Sequence, residues 1–98
     1  MCLGKVAMSR QQQKIVFIGY VQGVGFRFAA CRCAVGRDIA GYVKNLPDGR
    51  VECVVEGEPE NIRDFIEVLT STMSEYIQTW TKQESPYSGQ FASFGIRY

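Results

Sequence analysis

The chain has 98 residues, 46% hydrophobic and 21% charged, and its 11 Lys and Arg nearly balance 10 Asp and Glu for a net charge of +1. That length suits one domain burying roughly two-thirds of its unfolded surface, with no room for a second. It contains no histidine, which excludes Ser-His-Asp, Cys-His and His-ligated metal chemistry, and its charge balance speaks against a broad nucleic-acid footprint.

Residues 1–13 show no sustained period and read as a flexible N-terminal arm, leaving residues 14–98 as the folded domain. MCLGKVAM lacks the apolar stretch of a signal peptide, and no apolar run is long enough to span a bilayer, so a cytoplasmic protein is expected. From Lys14, the residues Ile15, Phe17, Gly19 and Val21 alternate with Val16, Ile18 and Tyr20. This apolar run predicts a central strand covered on both faces.

Gln22-Gly23-Val24-Gly25 breaks that strand, and the stretch from Phe26 to about Gly36 predicts a helix with Phe26, Ala29, Ala30 and Cys33 on one face. Ala40 to Asn45 forms a second strand, Leu46-Pro47-Asp48-Gly49 a turn, and Val51, Cys53 and Val55 alternate with Glu52 and Glu56 in a third strand. Pro59 suits the first turn of a second helix, whose Ile62, Phe65, Ile66 and Leu69 share one face and which ends near the Ser/Thr cluster at 70–72. Tyr76 to Gln83 and Phe91 to Tyr98 read as further strands separated by a long polar loop.

This order predicts an α+β fold, a ferredoxin-like split βαβ sandwich written β-α-β-β-α-β. An antiparallel four-stranded sheet would carry both helices on one face. The four cysteines, Cys2, Cys31, Cys33 and Cys53, follow neither a disulfide framework nor paired CxxC spacing and are expected as reduced thiols. Cys31 and Cys33 would sit about 200° apart around the helix, so they neither bridge nor share a metal. Glu52, Glu56, Glu58 and Glu60 read as a solvated acidic face, and Trp80 and the tyrosines as sheet packing.

The segment Gly19-Tyr20-Val21-Gln22-Gly23-Val24-Gly25-Phe26-Arg27 sets two glycines between a strand and a helix. Glycines tolerate positive φ, so successive N–H groups can turn inward, and the helix N-terminus adds free N–H groups and the positive end of its dipole. That combination suits a phosphate-sized anion. Arg27, in the first helical turn, leans back toward the loop, where its planar guanidinium can fork onto two phosphate oxygens. Residue types alone leave a second reading open, in which the glycines only make a tight turn, Arg27 is solvated and Asn45 serves the turn beside it.

The blocks Val21-Gln22-Gly23-Val24-Gly25-Phe26-Arg27 and Gly41-Tyr42-Val43-Lys44-Asn45-Leu46-Pro47-Asp48-Gly49-Arg50-Val51-Glu52 closely resemble the two signature blocks of the acylphosphatase family. The resemblance runs from about Lys14 to Tyr98 and includes Val55-Glu56-Gly57 and Phe94-Gly95-Ile96-Arg97-Tyr98. It implies a monomeric enzyme that splits the carboxyl-phosphate bond of acyl phosphates without metal or cofactor. It assigns phosphate binding to Gln22, Gly23, Val24, Gly25, Phe26 and Arg27, and orientation of the attacking water to Asn45. Tyr20 and Leu46 depart from the family pattern, at places where a basic residue and a small hydroxyl residue are common.

The implied partner is a small-molecule acyl phosphate, with neither nucleic acid nor membrane. Two other classes stand beside this one. The fold also hosts non-catalytic binding or regulatory modules, whose RNA-binding version predicts exposed aromatic and basic residues on the open sheet face. An acylphosphatase-like domain of a larger carbamoyl-transfer enzyme would handle carbamoyl phosphate, an arrangement disfavoured because the chain ends with the family's last strand.

Overall fold

The computed structural model describes residues 9–98. The elements in order are β1 (Gln11–Gly19), α1 (Phe26–Ala34), β2 (Ile39–Asn45), β3 (Val51–Gly57), α2 (Pro59–Thr72), β4 (Ile77–Pro86) and β5 (Phe94–Arg97). The sheet order is β4-β1-β3-β2-β5. β1 pairs antiparallel with β3 and β4, and β2 antiparallel with β3. This is the expected ferredoxin-like α+β arrangement.

The sheet differs from the four antiparallel strands expected, because β5 adds a fifth strand parallel to β2. The reason is directional. β1 and β2 run the same way and β4 runs against them, so a connection that turns after β4 and crosses to the far edge brings the chain back along β2. The buried Glu56 carboxylate of β3 fastens that connection. It accepts hydrogen bonds from the Ser88 amide (2.8 Å), the Ser88 hydroxyl (2.6 Å), the Gly89 amide (3.0 Å) and the Gln12 side-chain amide (2.7 Å).

Gln11, Gln12 and Gln13, expected in the arm, open β1, and Gln13 is buried. The pairing register explains this: Gln11 to Gln13 face Gly57 to Val55 on one side and Pro86 to Glu84 on the other, so backbone bonds hold them despite their polar side chains. The rest of the expected arm up to Met8, with Cys2, lies outside the described residues. β1 is covered on one face only. Ile15 and Phe17 are buried, whereas Val16 and Ile18 on the other face are half-buried, since both helices sit on the same side.

α1 buries Phe26, Ala29, Ala30 and Ala34 and ends before Gly36, two residues earlier than expected. α2 buries Ile62, Phe65, Ile66 and Leu69, the expected face, and each such side chain contributes about 1.5–3 kcal/mol on burial. Phe17, from the sheet, meets Phe26 of α1 with ring centroids 4.9 Å apart, which ties β1 to the first residue of the helix that follows it.

On the open face, the Tyr42 hydroxyl donates to Glu52 (2.7 Å), and the Arg97 guanidinium lies 4.0 Å from the centroid of the Tyr42 ring. Arg97 thus occupies a face of the ring that base stacking would need. Cys31, Cys33 and Cys53 are free thiols, the last fully buried.

Candidate active site

The connection from β1 to α1 has little freedom at its ends. Val21 is fully buried before the loop and Phe26 is buried after it, so the intervening residues span a fixed gap. Gly23 (φ +78°) and Gly25 (φ +79°) both take the left-handed conformation, which costs other L-residues roughly 1–2 kcal/mol each. Gly25 is also the N-cap of α1, and no side chain caps that end. The first helical bond runs from the Ala29 amide to the Gly25 carbonyl (3.0 Å). The amides of Phe26, Arg27 and Phe28 therefore have no intrahelical acceptor, and the dipole's positive end faces the loop.

Gly19 shapes the approach to this loop. An added Cβ there would collide with the Tyr76 carbonyl and the Gln78 amide nitrogen. The register of β1 against β4 shifts at the same place, between Ile18 and Gly19. Close passage of the β4 backbone is the reason for a glycine, rather than a merely unfilled strand position.

Asn45 arrives from β2. It pairs with Val51, which pairs in turn with Phe17, so the three lie in one row across the sheet on the helix-facing side. This is the face of Val43, as alternation along the strand requires. Asn45, Gly23, Gly25, Phe26, Arg27 and Phe28, with Val21 behind them, line one cavity of about 180 Å³. Residues far apart in the chain thus meet around a space suited to a small anion, with Arg27 as its single charged residue. The Arg27 guanidinium also lies 5.1 Å from the centroid of the Tyr98 ring.

Gln22 does not line that cavity with its side chain. Its Nε2 donates to the carbonyls of Leu46 (2.7 Å) and Arg50 (2.9 Å), on either side of the turn that follows Asn45. The amide is thereby a clamp between the glycine loop and the β2–β3 turn. The sequence carried no sign of this clamp, because both acceptors are backbone atoms, nor did it mark the rim residues Phe28 and Tyr98.

A larger groove of about 380 Å³ lies between α2 and β4, lined by residues such as Gln13, Ile66 and Trp80. It contains none of the glycine-loop residues. The smaller cavity is the candidate site because two left-handed glycines, an uncapped helix N-terminus and an arginine converge there. Leu46, one of the two departures from the family pattern, is held within the turn by backbone bonds, its amide donating to the Arg50 carbonyl at 2.8 Å. Tyr20 projects into solvent at 87% exposure.

Comparison with known proteins places the fold in a family. A family model described as acylphosphatase matches residues 13–96. The acylphosphatase of Caldanaerobacter subterraneus subsp. tengcongensis is 37% identical over 84 residues, 80% of this chain and 88% of the relative. The crystal structure of acylphosphatase from Bacillus subtilis superposes with a TM-score of 0.80 at 33% identity, covering 90% of this chain and 99% of that one. HypF of T. kodakarensis matches with a TM-score of 0.77 at 38% identity, covering 90% of this chain but only 12% of the other.

Proposed function

Because this chain belongs to the acylphosphatase family and hydrolyses acyl phosphates, we propose that the loop from Gln22 to Arg27 holds the phosphoryl group and that Asn45 orients the attacking water. The observation carrying this assignment is the cavity shared by Gly23, Gly25, Arg27 and Asn45.

The chemistry follows from the charges. Phosphoryl transfer spreads negative charge over the equatorial oxygens, so positioning and fixed positive dipoles supply most of the stabilisation. Inward-facing amides of the loop and of Phe26 to Phe28 take those oxygens, and Arg27 forks onto two of them. Water held by the Asn45 side-chain amide attacks phosphorus from the side opposite the acyl oxygen. The water oxygen–phosphorus bond forms as the phosphorus–acyl oxygen bond breaks, and the bonding pair leaves on the carboxylate. A phosphate oxygen takes the water proton. Carboxylate is a good leaving group, so no general acid is needed, and no histidine is present to serve as one.

In this reading the protein is a cytoplasmic monomer acting on a small-molecule acyl phosphate, without metal, cofactor, nucleic-acid or membrane partner, in keeping with its nearly balanced charge. The test is phosphate release from benzoyl phosphate and acetyl phosphate in the presence of EDTA. Arg27→Ala and Asn45→Ala are each expected to lose at least about 100-fold in kcat/KM with the fold intact. They differ in binding: inorganic phosphate should inhibit Asn45→Ala as well as wild type but Arg27→Ala far less. Wild-type rates in both variants would remove the assignment.

A further inference from the structure

The cradle accounts for the phosphoryl end of the substrate and leaves the acyl end unassigned. Phe28 supplies the missing contact. It is the third residue of α1 and lines the same cavity as Gly23, Gly25, Arg27 and Asn45, yet 60% of it is exposed. Phe17, Phe26 and Phe65 are buried in the core and Phe91 and Phe94 are half-buried, so Phe28 is the most exposed phenylalanine, and it stands at the mouth of the site. Side chains on a helix tilt toward its N-terminus, so the ring overhangs the loop instead of turning toward the core. Isolated apolar residues on a surface are ordinary, but one that walls an anion site is not.

Charge narrows the choice of acyl group. Arg27 is the one charged residue lining the cavity, and the phosphoryl group occupies it. Among the lining residues no second cation remains for an acyl group bearing its own carboxylate or phosphate. The Tyr98 ring, 87% exposed and with its centroid 5.1 Å from the Arg27 guanidinium, adds uncharged surface beside that cation without lining the cavity.

We propose that Phe28 is a specificity-determining residue that packs against the acyl group and selects uncharged, apolar or aromatic acyl phosphates over small or anionic ones. This rests on the assignment of the phosphoryl group to the loop of Gln22 to Arg27. A planar acyl group held in the cradle lies against the Phe28 ring, and burial of both surfaces favours its transition state over that of an acetyl group, which is too small to reach across the ring.

The experiment compares kcat/KM for benzoyl phosphate, acetyl phosphate and succinyl phosphate in wild type, Phe28→Ala and Phe28→Leu. Wild type should prefer benzoyl phosphate, and Phe28→Ala should reduce the benzoyl-to-acetyl ratio about tenfold while Phe28→Leu restores much of it. Circular dichroism of both variants checks the fold, which an exposed side chain should leave unchanged. A benzoyl-to-acetyl ratio unchanged in Phe28→Ala, or a wild-type preference for the anionic succinyl phosphate, overturns the proposal. Arg27→Ala, assayed on the same three substrates, separates failure of the underlying assignment, since that variant would then hydrolyse them at wild-type rates whatever the benzoyl-to-acetyl ratio.

Discussion

Replacing Gln22 with Met tests whether the glycine loop and Asn45, proposed to orient the water, work as one rigid unit. Methionine keeps the length of the side chain and removes both donors, so the bonds to the Leu46 and Arg50 carbonyls, at 2.7 and 2.9 Å, are lost together. Neither carbonyl is left bare: Leu46 still accepts from the Gly49 amide (3.2 Å) and Arg50 from the Leu46 amide (2.8 Å). The loss is therefore that of two neutral hydrogen bonds without the penalty of a buried orphan, about 1–2 kcal/mol in all. For a domain of this size each kcal/mol lowers Tm by about 4–8 °C. The catalytic effect should be larger than the stability effect implies, because a misplacement of about 1 Å between water and phosphorus costs on the order of 100-fold. Kinetics well below Tm should show kcat reduced about 10- to 100-fold with KM nearly unchanged, since the amides and Arg27 proposed to bind phosphate remain. A variant with the expected drop in Tm and kcat within twofold of wild type would refute the reasoning, reducing the clamp to a contribution to stability.

Three further predictions concern pH and backbone space. Burial alone would raise the pKa of Glu56, but the hydrogen bonds from Ser88, Gln12 and Gly89 outweigh it and hold the carboxyl below the ordinary glutamate range. The unfolded chain therefore binds this proton more readily than the folded one. Glu56 stabilises fully above its unfolded pKa, and that stabilisation is lost as pH falls through the lower folded pKa. Denaturant midpoints measured across the acid range should fall in wild type and fall less steeply in Glu56→Gln, which should also be less stable at neutral pH by about 1–3 kcal/mol. Gly19→Ala places a Cβ against the Tyr76 carbonyl in a left-handed conformation and should cost about 2 kcal/mol or more, read from urea unfolding. Gly25→Ala, at φ +79° with open space around it, should instead cost about 1–2 kcal/mol from strain alone and weaken phosphate inhibition by distorting the cradle.

Much of this protein is legible along the chain because its signals are local. The periods of 2 and 3.6 placed the first three strands and the two helices, since a half-buried strand or helix must repeat its apolar residues at those spacings. Gly23, Gly25 and Arg27 were readable as a candidate anion loop, because glycine conformations and helix polarity are short-range properties, although the residue types alone fitted a plain tight turn as well and the family resemblance decided between the two. The position of Asn45 on the face of Val43 followed from alternation alone. Gln11 to Gln13 escaped this reading, because polar side chains hid strands held by pairing on both sides.

Tertiary structure decided whatever depends on atoms distant in sequence. The parallel pairing of β5 with β2 follows from a crossing connection fastened by Glu56 of another strand, and no local period encodes a direction of pairing. The Gln22 clamp uses backbone carbonyls, which every residue has, so composition cannot mark the acceptors. The same holds for Phe28, a residue that helical sequence alone would assign to either core or solvent. The chain by itself offered Gly23, Gly25 and Arg27 as candidates for holding an anion. Folding determined that Asn45 and an aromatic ring line one cavity with them and that the clamp joins their loops, because only long-range packing brings the end of β2 to the start of α1.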